Sequence, residues 1–387
     1  MVDISERELE LPDAMIGSLL KIAAENKGII SLGPGEPDFI TPKPILDYAK
    51  KHIAEATKYS APAGRTELRE TICRKLKKEN KIDADIDNVV VTTGSQEGLF
   101  NALLCTLDPT EQVILPNPSY LGYIPAIELV EGVPVYVKLE EEDDFAINPD
   151  NIRKIIDKKK TKVILINSPA NPTGNVLSRK ILEEIADIAV DTNTYVFSDE
   201  AYEHIVYDDN KHISIGSLNG MKDYVVSFFS FSKSFAMCGF RLGYVVGPEK
   251  LMKEMDKSSH YVTICPPHIS QFAGIKALQI GKGYTKKMVE EYKKRRNFIV
   301  KRLNEIGLRT KIPGGAFYTF SNIQDFSNNS VEFAKEILNK AKVAVVPGSE
   351  FGIYGEGYIR CSYATDIKKI ETAMDRLERF LKNKQRR

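Results

Sequence analysis

Between residues 88 and 246, short apolar runs alternate with longer stretches whose apolar positions recur every three to four residues. The runs at 88–93, 112–115, 134–139, 162–167, 194–198, 225–229 and 242–246 read as strands. Several are apolar throughout instead of alternating, the pattern of strands covered on both faces. Residues 95–107 and 178–191 read as helices; in the second, Ile181, Leu182, Ile185, Ile188 and Ala189 fall on one face. Strands alternating with helices predict βαβ units around a largely parallel sheet, an α/β fold.

Past Gly283 the pattern changes. A long charged amphipathic helix is expected over 285–306, followed by short strands at 309–312, 317–320 and 343–346. Two further helices follow, with Ser330 and Asp366 suited to their N-cap positions. This reads as a separate α+β unit. The acidic run 140–144 reads as a solvated turn, and no internal repeat or low-complexity segment interrupts the chain.

Composition narrows the class. The 387 residues are 42% hydrophobic and 28% charged, ordinary for a globular enzyme and unlike a disordered or fibrous chain. A net charge of +1 gives no global attraction to nucleic acid or anionic membrane, so local positive charge is read as site chemistry. The N-terminus is too acidic and polar for a signal or transit peptide, and no apolar run reaches membrane-spanning length. Five scattered cysteines (Cys73, Cys105, Cys238, Cys265, Cys361) fit a reducing, cytoplasmic setting. Neither they nor the five histidines show metal-ligand spacing; His204 and His268 read as packing or surface residues, and no metal is expected.

The candidate chemistry collects at the carboxyl ends of the strands, where sheets of this kind place ligands. Ser230-Phe231-Ser232-Lys233-Ser234 sets a lysine between hydroxyls after an apolar strand, with Arg241 close behind. Burial would free such an amine as a nucleophile or base, and the hydroxyls and arginine could hold a phosphate. That pairing suggests pyridoxal phosphate; a surface lysine in a serine-rich loop is the ordinary alternative. Thr93-Gly94-Ser95-Gln96 turns a strand into a helix and exposes backbone N–H groups suited to phosphate, or simply caps the helix. Ser168-Pro169-Ala170-Asn171-Pro172 fixes where Asn171 points, although a plain proline turn reads the same way. Ser198-Asp199-Glu200-Ala201-Tyr202 puts a carboxylate where a protonated pyridine nitrogen could pair with it, or where a helix cap would stand. Arg360, inside an apolar strand, suits two-point binding of a carboxylate or a structural ion pair.

In this order along the chain, these segments resemble the class I aminotransferases, the pyridoxal-phosphate enzymes of the aspartate aminotransferase fold. The resemblance runs from Ser31-Leu32-Gly33-Pro34-Gly35-Glu36-Pro37 to Arg360-Cys361-Ser362-Tyr363, and is most specific at Asn171-Pro172-Thr173-Gly174, at 198–202 and at 230–244. It implies a large cofactor domain over 44–283 with a seven-stranded, mostly parallel sheet between helices. Residues 1–43 and 284–387 would form an N-terminal arm and a smaller α+β domain. Lys233 would form the Schiff base and move the proton between substrate Cα and cofactor C4′. Asp199 would keep the pyridine nitrogen protonated, and Tyr202 would hydrogen-bond the ring hydroxyl. Asn171 would share that contact and reach the substrate. Ser95, Gln96, Ser230 and Arg241, with Ser232, would cradle the phosphate, and Tyr120 would stack on the ring. Arg360 would bind the substrate α-carboxylate with the Gly35 backbone closing over it. Tyr59 resembles the tyrosine that crosses to a neighbouring subunit's phosphate, which implies a homodimer with shared active sites.

The implied reaction moves an amino group from an L-amino acid, of aspartate, aromatic or mixed specificity, to a 2-oxo acid, with 2-oxoglutarate as the expected acceptor, in ping-pong fashion. A lysine at the position of Gln96 marks one aspartate-binding subgroup, and Tyr120 replaces a tryptophan common in aspartate-specific members. Both departures lean towards aromatic or mixed donors. A C–S lyase on the same fold is the alternative enzyme. A transcriptional regulator would need a basic helix-turn-helix, for which the chain leaves no room before the arm. A nicotinamide dehydrogenase is opposed by Gly33-Pro34-Gly35-Glu36-Pro37-Asp38, which lacks the third glycine and carries prolines against the required turn.

Overall fold

A computed structural model describes residues 4–11, 17, 21, 22, 25, 26 and 28–385. Its strands are, in chain order, β1 (Ile30–Ser31), β2 (Val89–Thr92), β3 (Gln112–Asn117), β4 (Val133–Lys138), β5 (Thr161–Asn167), β6 (Tyr195–Asp199), β7 (Val225–Ser230), β8 (Gly243–Val246), β9 (Tyr318–Asn322), β10 (Val343–Ala344), β11 (Val346–Pro347) and β12 (Tyr358–Ser362). Seven of them form one sheet in the order β2-β8-β7-β6-β5-β3-β4. The pairs from β7 through β6, β5 and β3 to β4 are parallel; β8 runs antiparallel to both β7 and β2.

Strand residues alternate between two apolar layers. Val163 and Leu165 pack with Leu99, Leu103 and Met255 on one face; Ile164 and Ile166 pack with Leu182, Ile185 and Ile188 on the other. Covering on both faces is why β5 reads as a continuous apolar run. The helix Arg179–Thr192 starts as its sequence predicts, with the Ser178 hydroxyl accepting from the Ile181 N–H at 3.3 Å.

β9, β11 and β12 form an antiparallel three-stranded sheet. The helices Gly283–Glu305 and Ile367–Gln385 pack on a core that includes Ile299, Leu303, Tyr318, Ile359, Met374 and Leu377. β1 pairs in parallel with β10, so the early segment joins the late part of the chain. Its continuation lies along β12, where Ser362 N donates to Leu32 O at 2.7 Å.

Four local expectations need correction. The strand expected at 309–312 is a single bridge, Thr310 to Ser321. The run 343–346 divides between β10 and β11, in different sheets, because the chain changes partner at Val345. Ser330 is the first helical residue, not the cap; Asn329 caps Ser330–Glu336 by accepting from Glu332 N at 2.9 Å. The acidic turn at 140–144 is also less free than a solvated turn, since Glu141 accepts from Tyr358 and Asn322 at 3.0 and 2.7 Å.

Candidate active site

The ends of β2, β5, β6 and β7 open onto a cavity of about 320 Å³, closed on its far side by Arg360 from β12 and Tyr318 from β9. Gly35, Ser95, Gln96, Tyr120, Asn171, Asp199, Tyr202, Ser230, Ser232, Lys233, Arg241 and Arg360 all line it. Tyr59 does not belong to this lining and stands 79% exposed.

Lys233 sits in the short helical turn Phe231–Ser234 directly after β7, started by the Ser230 hydroxyl accepting from Ser232 N at 3.2 Å. Its ammonium donates to Gly35 O at 2.5 Å. Asp199 ends β6 with both carboxylate oxygens engaged: Oδ1 accepts from Ala201 N at 3.0 Å and Oδ2 from the Tyr123 hydroxyl at 2.6 Å. Burial raises the Asp199 carboxyl above its ordinary range, against the opposing pull of Tyr123, the Ala201 N–H and Lys233.

Asn167, at the end of β5, ties the centre together. Its amide donates to Asp199 O at 2.9 Å, and its Oδ1 accepts from Asn171 N at 2.8 Å. Asn171 in turn accepts from Arg360 Nη1 at 3.0 Å, while Arg360 Nη2 donates to Gly33 O at 2.6 Å. Arg360 is 2% exposed, its guanidinium lies 4.4 Å over the Tyr318 ring, and its Nε has no hydrogen-bond partner. Burial works against its charge, and an incoming carboxylate would relieve that cost. Tyr202 shares a hydrogen bond with Tyr318, hydroxyl to hydroxyl, at 2.7 Å; burial first, then Tyr318, raises its pKa well above the ordinary phenol value, so it holds its proton.

At the opposite end, Gly94 has φ +80°, and a Cβ there would meet Arg241 Nη2 at 2.6 Å. The loop therefore brings bare backbone against the guanidinium at the N-terminus of the helix Ser95–Thr106, where free N–H groups and the helix dipole favour an anion.

Asn167, Tyr123 and Tyr318 were not singled out from the sequence. Tyr123 opens the helix Tyr123–Leu129 three residues after Tyr120, and that closeness in sequence was the available signal. Tyr318 and Asn167 look like ordinary strand residues until distant partners give them roles.

A half-buried amine, a desolvated carboxylate, an anion cradle and a buried arginine around one small cavity define an enzyme of small charged molecules. The chain belongs to the family of class I and II aminotransferases, which it matches over residues 27–377. It is 47% identical to the aspartate aminotransferase of Pyrococcus abyssi over 95% of this chain and 96% of that protein. It is 44% identical to aromatic-amino-acid aminotransferase 2 of Thermococcus litoralis, over 98% of this chain and 99% of that protein. The aspartate aminotransferase of Thermus thermophilus solved with maleate superposes with a TM-score of 0.94, at 33% identity, over 98% of this chain and all of that one. The fold is that of the aspartate aminotransferases, and the protein is an amino-acid aminotransferase. These relatives are aminotransferases, not C–S lyases.

Proposed function

We propose that the cavity holds pyridoxal 5′-phosphate and serves transamination between an aromatic or mixed-specificity L-amino acid and 2-oxoglutarate. The observation that carries this reading is the convergence of Lys233 and Asp199 on one cavity, with the Gly94–Arg241 cradle at one end and Arg360 at the other. The donor set fits the group: an amine for its aldehyde, an anion for its ring nitrogen, and backbone N–H groups with Ser95, Gln96, Ser230, Ser232 and Arg241 for its phosphate. When bound, the cofactor supplies an electron sink for charge developing at the substrate Cα.

The chain's own residues do the rest. Arg360 grips the α-carboxylate through its planar fork, and Asn171, already bonded to Arg360, sets the angle of that fork. Lys233 Nζ takes the Cα proton and later returns one, acting as the general base and acid of the cavity. Asp199, whose charged form Tyr123 and Ala201 favour against burial, would keep a proton on the bound cofactor's ring nitrogen. With the cofactor in place, Tyr202 would donate to its ring oxygen, Tyr120 would cover its ring and Gly35 would close above the substrate.

Tyr59, exposed and outside this chain's own cavity, is assigned to the phosphate of a second copy, so the working unit is a homodimer. The pairing of β1 with β10 supports a division into a large domain at 44–283 and a smaller unit from 1–43 and 284–387. Cytoplasmic residence rests on the free cysteines; no helix among the described residues is long and apolar enough to cross a membrane. A donor panel of aspartate, tyrosine, phenylalanine, alanine and 2-aminoadipate with 2-oxoglutarate tests the reading. Aromatic donors should lead aspartate in kcat/KM; a strong aspartate preference would refute the assignment of Gln96 and Tyr120.

A further inference from the structure

We propose that Tyr318 is a positioning residue that serves both ends of the cavity, its hydroxyl setting Tyr202 and its ring carrying Arg360. The proposal rests on the reading of Tyr202 as donor to the cofactor's ring oxygen. Tyr318 is 1% exposed in β9, and Tyr202 is its hydroxyl's hydrogen-bond partner, at 2.7 Å. Its ring face lies 4.4 Å beneath the Arg360 guanidinium. It also explains the glycine at position 35: a Cβ there would stand 2.5 Å from the Tyr318 hydroxyl oxygen. The carbonyl of that same glycine receives the Lys233 ammonium. One side chain therefore touches the partners of the ring oxygen, the carboxylate and the reactive amine.

The direction of the hydrogen bonds follows from proton supply. A phenol has one proton to give. Once Tyr202 spends its proton on an anionic ring oxygen, its own oxygen can only accept, and Tyr318 is the neighbour that donates to it. Two phenols in series polarise each other, so Tyr202 becomes a stronger donor than it would be alone. The ring of Tyr318 acts separately, holding the desolvated guanidinium flat through cation–π attraction, with its unpartnered Nε left to meet a carboxylate.

The two roles separate by mutation. Tyr318→Phe keeps the ring and deletes the hydroxyl. In protein loaded with pyridoxal 5′-phosphate, the pH midpoint of the visible absorption band should rise by roughly half to one unit, the size of one hydrogen bond. The donor's kcat should fall about three- to tenfold, with KM within about twofold of wild type. Tyr318→Leu removes the ring as well and should raise KM about tenfold. Adding Tyr318→Phe to Tyr202→Phe should move the midpoint no further, because the hydroxyl acts through Tyr202. A wild-type midpoint in Tyr318→Phe, an equal shift in the Tyr202→Phe background, or an unchanged KM in Tyr318→Leu overturns the proposal. A wild-type protein with no visible band overturns the cofactor reading and this proposal together, whereas a normal band that Tyr318→Phe leaves unmoved overturns this proposal alone.

Discussion

Removing the Tyr123 hydroxyl tests how the protein keeps a buried carboxylate charged. Asp199 is desolvated at the end of β6, and burial alone favours its protonated form. Tyr123, itself fully buried, gives Oδ2 a 2.6 Å hydrogen bond. A hydrogen bond to a charged group contributes about 1.5 to 3 kcal/mol, which is roughly a ten- to hundredfold effect on the protonation equilibrium. Tyr123→Phe therefore moves Asp199 further towards the neutral form, and the acid limb of kcat/KM for an amino donor should shift to higher pH. Affinity for pyridoxal 5′-phosphate should fall in the same pH range, because a neutral acid pairs less well with a protonated ring nitrogen. Phenylalanine preserves the edge-on contact with Tyr120, whose ring centroid lies 5.2 Å away, so packing changes little. The assay is a pH profile of kcat/KM with parallel cofactor titrations. A variant whose acid limb and cofactor affinity superpose on wild type would refute the argument.

Gly94→Ala should strain the cradle twice, through its φ of +80° and through contact with Arg241, whose Nη2 lies 2.6 Å from the new Cβ. At φ +80° and ψ 163° the backbone term is about 1 to 3 kcal/mol, so cofactor affinity by fluorescence titration should drop about five- to hundredfold while the fold survives. Behind the site, Lys75 donates to Glu203 at 2.5 Å with both side chains nearly buried. Burial pushes the Glu203 carboxyl up, but His204 and Lys75 outweigh it and hold it at about 2, below its ordinary 4.5. A depressed acid stabilises the folded chain above its unfolded value and loses that contribution as pH falls. Glu203→Ala should thus cost about 3 to 5 kcal/mol in urea unfolding at pH 7, with the gap to wild type shrinking between about pH 4.5 and 2. A gap that is absent at neutral pH would refute it.

The central sheet was legible because β5, β6 and β7 are buried on both faces and announce themselves as largely apolar runs, broken within β7 at Ser227. Arg360 stood out for the complementary reason, a charge inside such a run. Pairing was less legible. Nothing local marks the point where residues 343–347 leave β1 for β12, since both neighbours are apolar and neither proline nor glycine separates the two short strands. Asn329 and Ser330 are both good caps, and only the backbone geometry chose between them. The polar supports of the site were hardest to read. Tyr318 and Tyr123 are the aromatic residues a core would contain anyway, and their meaning lies in hydroxyl partners 116 and 76 residues away.

The central claim is that Lys233 Nζ carries the cofactor. Borohydride reduction of protein incubated with pyridoxal 5′-phosphate, followed by peptide mass mapping, tests it directly. A pyridoxyl-phosphate adduct on Lys233, absent from Lys233→Ala, is the predicted result. Protein that stays colourless and yields an unmodified 227–241 segment would contradict it.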